Sequence, residues 1–176
     1  MSGFHHIPVL LDAVVDALAI RPDGLYVDCT AGGGGHSRAI GEQLGPDGRL
    51  ICMDRDADAV AAAREHLAGL ACRHEVVHAP FSDLEAVLAE RGIPGDVDGI
   101  LADLGVSSHQ IDEAERGFSF MQDGPLDMRM DRREPTTAAD LVNTLDQREL
   151  ADVLFQLGDE KQSRRIAAAI VRRREQ

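Results

Sequence analysis

The chain has 176 residues, 44% of them hydrophobic and 28% charged, enough for one domain with its own core, or one and a fraction. Three scattered cysteines without a Cys-x-x-Cys pair exclude a zinc ribbon, a redox pair and a disulfide framework as expectations, and no apolar run has the length that crosses a bilayer. The net charge of −13 is the opposite of what a generally nucleic-acid-coated surface would carry.

That charge is uneven. Residues 1–110 hold 7 basic and 17 acidic side chains, and residues 111–176 hold 11 and 14. Six of the later cations, Lys161, Arg164, Arg165, Arg172, Arg173 and Arg174, crowd the end. They read either as a solvated helix face or as an RNA-facing patch. The first residues show no basic segment followed by an apolar stretch, so a cytoplasmic protein is the default. The seven histidines show no metal-ligand spacing, and the adjacent pair His5-His6 reads as packing or surface; no metal is expected.

In chain order, apolar residues at Leu10, Leu11, Val14, Val15 and Leu18 predict a helix over 8–18, with Pro8 in its first turn. Leu25-Tyr26-Val27-Asp28-Cys29 predicts a strand, followed by a loop with glycines at Gly32, Gly33, Gly34 and Gly35. A helix over 36–44 comes next. A second strand, 50–54, precedes an alanine-rich helix capped by Asp56. Residues 74–78 predict a third strand. Ser82 and Glu85 form a capping-box pattern for a helix running to about 91. A fourth strand is expected over 97–103. Four alternations of strand and helix predict a parallel α/β sheet covered on both faces, a doubly wound Rossmann-like fold.

After Asp103 the rhythm stops. Residues 104–135 have no clean period. Thr137 and Asp146 then suggest helix caps, Gly158 a helix end, and residues 160–174 a further helix. This change from α/β to all-helical composition puts an expected domain boundary near residue 110.

The glycine loop between a strand and a helix suits a backbone passing close to a ligand. It fails the dinucleotide pattern in both registers, since Ser37 or Arg38 stands where the third glycine belongs. Asp54 ends the second strand about twenty residues on, where an acid can bind a ribose diol. Asp28 is placed to meet a cationic amino-acid moiety. Asp28, Asp54 and Asp103 end their strands and, with Phe81, converge on one edge, and ligands of open parallel sheets bind beyond the carboxyl ends. An acidic pocket without phosphate-binding residues suits S-adenosylmethionine better than NAD.

Several strings carry a specific resemblance. They are His6-Ile7-Pro8-Val9-Leu10-Leu11, Asp28-Cys29-Thr30-Ala31-Gly32-Gly33-Gly34-Gly35-His36-Ser37, Asp54-Arg55-Asp56, Pro80-Phe81-Ser82, Asp103-Leu104-Gly105-Val106-Ser107-Ser108, Arg116-Gly117-Phe118-Ser119-Phe120-Met121 and Gly124-Pro125-Leu126-Asp127-Met128-Arg129-Met130-Asp131. Together they resemble the ribosomal RNA small-subunit methyltransferase H family, also called MraW, from His6 to the last residue. The resemblance implies a class I S-adenosylmethionine-dependent methyltransferase fold interrupted by an inserted all-helical domain. Residues 1–110 would be the amino-terminal part of the catalytic domain, and 111–176 the start of the inserted substrate-recognition domain.

The implied reaction is methylation of the N4 amino group of a cytidine in small-subunit ribosomal RNA, in an assembled or assembling subunit and away from membranes; a homodimer stays open. The implied cofactor set is Gly34, Gly35, His36, Asp54, Phe81, Asp103 and Gln110, with Asp103 also catalytic. The family more often has proline where His109 stands. Its members return to the sheet for further strands that this chain lacks, so the activity is expected of a longer parent protein. The 176 residues alone are expected to be inactive and poorly folded, with 97–103 as an open apolar edge. The Asp/Asn-Pro-Pro-aromatic loop of many amino-group methyltransferases is absent. Phe118 and Phe120 could stack on the target base instead or pack in a core, and Arg129, Arg132 and Arg133 could meet phosphates or solvent. A small-molecule methyltransferase and a non-enzymatic adenosine-ligand module remain alternatives.

Overall fold

A computed structural model describes residues 8–93 and 95–174. The His5-His6 pair and Ile7 of the first family string lie outside them. The chain divides into two compact units, Met1–His109 and Gln110–Gln176.

In the first unit, strands β1 (Leu25–Asp28), β2 (Arg49–Asp54), β3 (Arg73–His78) and β4 (Gly99–Leu101) form one sheet in the order β3-β2-β1-β4. Every pair is parallel. Helices α1 (Leu11–Leu18), α2 (Gly35–Gln43), α3 (Ala57–His66) and α4 (Leu84–Glu90) intervene. Successive strand residues face opposite sides of a sheet, and the apolar runs are used on both. Tyr26, Leu50 and Cys52 share a cluster with Ile40 of α2 and Ala63 of α3. Val27, Ile51 and Met53 pack with Val87 and Leu88 of α4. The chain therefore steps from β1 outward to β3 on one side, then returns to place β4 against the other side of β1. That reversal is the switch point at which open α/β sheets form a crevice.

Local chemistry moves several boundaries. Leu10 adopts a left-handed conformation at φ 55°, so α1 begins at Leu11 and Pro8 stands before it. Asp56 caps α3, accepting from the Asp58 N–H at 3.0 Å. Ser82 does not cap α4. The Asp83 N–H bonds to the Pro80 carbonyl, which tightens residues Phe81–Asp83 into a 3-10 turn, and the Ser82 hydroxyl donates to Asp83.

β4 is shorter than the expected strand over 97–103, because side chains take over its ends. The Asp98 carboxylate accepts the Leu25 N–H at 2.8 Å and pairs with Arg21 at 2.6 Å. At the other end the Asp103 N–H donates to the Thr30 hydroxyl at 2.7 Å. β4 is an edge strand among the described residues, and Ile100 within it is 48% exposed.

The second unit contains α5 (Ser108–Asp112, which begins just before the boundary), α6 (Ala138–Thr144), α7 (Gln147–Gln156) and α8 (Ser163–Arg174). Thr137 with Asp140 and Asp146 with Glu149 form complete capping boxes. The chain leaves α7 through Leu157 and Gly158, but the left-handed residue is Asp159, at φ 50°. Gly158 is needed for room instead, since a Cβ there would come within 2.8 Å of the Leu154 carbonyl oxygen. Leu150 and Ala151 of α7 pack on Ala167 of α8.

Between α5 and α6 the fold is held by polar clamps, which is why that segment shows no hydrophobic period. Arg129 lies fork to fork on Asp127, at 2.8 and 2.7 Å, and donates to the carbonyls of Arg132 and Glu134. Arg133 does the same to Asp131, at 2.9 and 2.6 Å. The buried Arg116 donates to the carbonyls of Arg129 and Met130. The guanidinium groups of Arg129 and Arg133 are thus engaged within the loop rather than merely solvated. The carbonyls of Asp127 and Leu126 in turn accept the N–H groups of Ala138 and Ala139, fastening the loop to the start of α6.

Hydrogen bonding from Arg129 holds the Asp127 carboxyl down at about 2. Because this folded-state value lies below the unfolded one, the clamp's contribution is complete above about pH 4 and is lost as pH falls through about 2. A carbon-13 NMR titration of the Asp127 carboxyl should show a midpoint near 2; a midpoint near 4 would mean the clamp does not persist in solution.

Candidate functional site

Parallel pairing brings every strand's carboxyl end to one edge. Asp28 is level with Cys52 and Leu101, and Asp54 with His78. Beyond β1 the chain is stitched to both neighbours: Cys29 N–H donates to the Leu101 carbonyl and Ala31 N–H to that of Met53. Thr30 adds the bond to Asp103 described above. The glycine loop therefore starts from a fixed position over the crevice between β1 and β4.

Asp54 holds that loop from the side. Its Oδ2 accepts the Gly32 N–H at 2.8 Å, and its Oδ1 accepts the Asp56 N–H at 2.9 Å. Burial pushes its carboxyl up, against these backbone hydrogen bonds. The residue is partly buried, and a carboxylate has lone pairs beyond the two in use, so it can also accept from a diol. Asp28 is different. It is fully buried, and its oxygens accept from the Ser37 hydroxyl at 2.5 Å and the Thr30 N–H at 3.1 Å. Burial raises its carboxyl from the ordinary value. The expectation that Asp28 meets a cationic ligand moiety is corrected: it has no exposed surface with which to do so, and it braces the loop from beneath.

Gly34 is the N-cap of α2 at φ 85°, a conformation that favours glycine, and a Cβ there would press on Ala63 at 3.2 Å. A Cβ on Gly35 would run into the Pro8 ring. These two glycines thus serve close packing, whereas a Cβ on Gly32 would have only the Thr30 carbonyl oxygen within reach, at 4.0 Å. Among the described residues no side chain caps α2. His36 is buried with Nε2 3.0 Å from the Val9 carbonyl oxygen.

Phe81 lies in the 3-10 turn after β3 and is 50% exposed. Asp103 is exposed just beyond β4. The first unit therefore brings Gly34, Gly35, His36, Asp54, Phe81 and Asp103 to one edge. Gln110 is buried in α5 and belongs to the second unit. Of the two aromatic candidates for base stacking, Phe118 is partly buried and Phe120 is 95% exposed. Among the described residues, no group of three or more His, Cys, Asp or Glu side chains could hold a metal, and no helix is long and apolar enough to cross a membrane.

Three positioning residues escape a reading of sequence alone. Thr30 fixes the Asp103 backbone, Ser37 satisfies Asp28, and the His66 ring bonds to the Gly33 carbonyl oxygen at 2.9 Å. Thr30 and Ser37 sit inside the glycine string, but nothing in the position of Thr30 indicates a partner 73 residues away.

A family model described as the MraW methylase family matches residues 3–176. The chain is 51% identical over 174 residues to the ribosomal RNA small subunit methyltransferase H of Symbiobacterium thermophilum, covering 99% of this chain and 54% of that protein. It thus spans about half the length of that relative. A crystal structure assigned as an rRNA-methylase from Clostridium thermocellum aligns over 46% of this chain and 48% of its own, with 20% identity and a TM-score of 0.41.

Ser37→Ala would leave a buried carboxylate short of a donor. The expected cost is about 1–3 kcal/mol, read as a lower urea midpoint for unfolding of the first unit. An unchanged midpoint would show that Asp28 does not depend on Ser37.

Proposed function

This chain belongs to the MraW methylase family, and from that premise we propose that the whole protein transfers a methyl group from S-adenosylmethionine to the N4 amino group of a cytidine in small-subunit ribosomal RNA. The observation that carries this reading is the edge where Asp54 and the uncapped start of α2 flank a crevice whose far side ends in Asp103. The name of the Symbiobacterium relative supports the RNA substrate. An assembled or assembling ribosomal subunit in the cytoplasm is its natural setting.

The residues fit the cofactor. Asp54 would take the ribose hydroxyls, the first-turn N–H groups of Gly35 and His36 would face the polar end, and Phe81 would cover the adenine. The crevice offers carboxylates and no cluster of cations, which suits a ligand that bears an ammonium and lacks phosphate. When bound, S-adenosylmethionine supplies a methyl group on a positively charged sulfur.

The remaining work falls to the protein. The exocyclic amine of cytosine is a weak nucleophile because its lone pair is delocalised into the ring. A carboxylate accepting a hydrogen bond from that amine favours the developing positive charge on nitrogen. Asp103 is the exposed carboxylate at the switch point, and the Thr30 bond to its backbone restricts where it can reach.

Asp54→Ala should weaken S-adenosylmethionine binding by about 1–3 kcal/mol in calorimetry on the full-length protein; equal affinity would remove Asp54 as the ribose anchor. Asp103→Ala should cut methyl transfer to small-subunit ribosomal RNA sharply, measured at saturating cofactor. Unimpaired turnover would dismiss Asp103 as the acceptor.

A further inference from the structure

The second unit carries a groove that the reading above does not use. It lies at the junction of α7 and α8, encloses about 470 Å³, and is lined by Phe155 and Asp152 from α7, by Lys161 just before α8, and by Ser163, Arg164 and Arg165 from its first turn. Phe155 is 58% exposed and takes no part in the α7–α8 core of Leu150, Ala151 and Ala167.

The cations are as unusual as the ring. From Lys161 to Arg174 the chain carries six cations and no carboxylate, within a protein of net charge −13. Lys161, Arg164 and Arg165 form no ion pair among the described residues, whereas Arg129 and Arg133 of the same unit lie fork to fork on carboxylates. A solvated helix face would be expected to mix signs. A π-face beside unpaired cations at the mouth of one groove is the combination that takes bases and phosphates of a single strand.

We infer that the α7–α8 groove binds single-stranded RNA, stacking a base on Phe155 and holding the adjoining phosphates with Lys161, Arg164 and Arg165. This rests on the RNA-methylating reading and adds a second contact to it, in a unit distinct from the one that carries Asp54 and Asp103. Asp152 on the α7 side can accept a hydrogen bond from a base amino group or a 2′-hydroxyl, which favours RNA over a plain polyanion. The two helices bearing the groove pack on each other directly, so its shape is part of the fold of that unit.

The test is fluorescence anisotropy of full-length protein with a labelled single-stranded segment of small-subunit ribosomal RNA, over a series of salt concentrations. Phe155→Ala should weaken binding roughly five- to a hundred-fold, the range for losing one stacked base, with the salt slope unchanged. Phe155→Tyr should restore affinity. Arg164→Gln with Arg165→Gln should flatten the log–log salt slope by roughly 1.4, at about 0.7 per single-strand phosphate contact. Melting curves and S-adenosylmethionine binding report that each variant is folded. Wild-type affinity in Phe155→Ala, or a wild-type slope in the arginine variant, overturns the groove while leaving the methyltransferase reading intact. Preference for an acidic peptide over RNA also overturns it. A wild-type protein that binds the cofactor but no RNA at all overturns both.

Discussion

The end of a parallel strand leaves backbone N–H groups that the sheet cannot satisfy, and at this edge carboxylates satisfy them. Asp54 accepts the N–H groups of Gly32 and Asp56, and Asp28 accepts that of Thr30 together with the Ser37 hydroxyl. The glycine loop has few side chains of its own to pack, so these bonds decide where it lies. Its remaining constraints are steric: Gly34 against Ala63 and Gly35 against Pro8. An edge fixed in this way is preorganised, and preorganised dipoles are what stabilise charge as it develops in a reaction. The cost is the desolvation of two carboxylates, visible in the upward push on both.

The second unit solves its folding problem differently. Its helices meet through a small core of Leu150, Ala151 and Ala167, and the segment before them is tied by arginines to carboxylates and carbonyls. Left-handed Met128, at φ 59°, and Gly117, at φ 75° with its Cβ position blocked by the Pro125 carbonyl, show how tightly that segment turns. The long family string at 124–131 is thus first of all a folding device. With Arg129 and Arg133 committed to Asp127 and Asp131, the positive charge left for an external partner lies chiefly in the run that begins at Lys161.

The strands were legible because buried parallel strands read as short apolar runs, and both faces of β1 and β2 are indeed covered. Caps with a reciprocal acid three residues on were legible at Thr137 and Asp146. Ser82 carried a similar signal and failed, because the Phe81 carbonyl takes the Leu84 N–H within the 3-10 turn and the Ser82 hydroxyl donates to Asp83. β4 ran short because Asp98 and Thr30 replaced ladder bonds with side-chain bonds, a long-range effect that no local pattern carries. At the site, strand-end positions identified Asp54 and Asp103 as residues of the carboxyl edge. They could not distinguish an open carboxylate from a buried brace, and so misread Asp28. Burial and partners separate the two, and both depend on contacts distant in sequence.

The central claim is that this edge serves methylation of a cytidine amine in ribosomal RNA. It is tested most directly by incubating the full-length protein with labelled S-adenosylmethionine and small ribosomal subunits or their RNA, then digesting the RNA and identifying the labelled nucleoside by mass spectrometry. The account predicts label in N4-methylcytidine at a single position. Label in another nucleoside, in protein or in a small molecule, or no transfer to any ribosomal substrate, would contradict it.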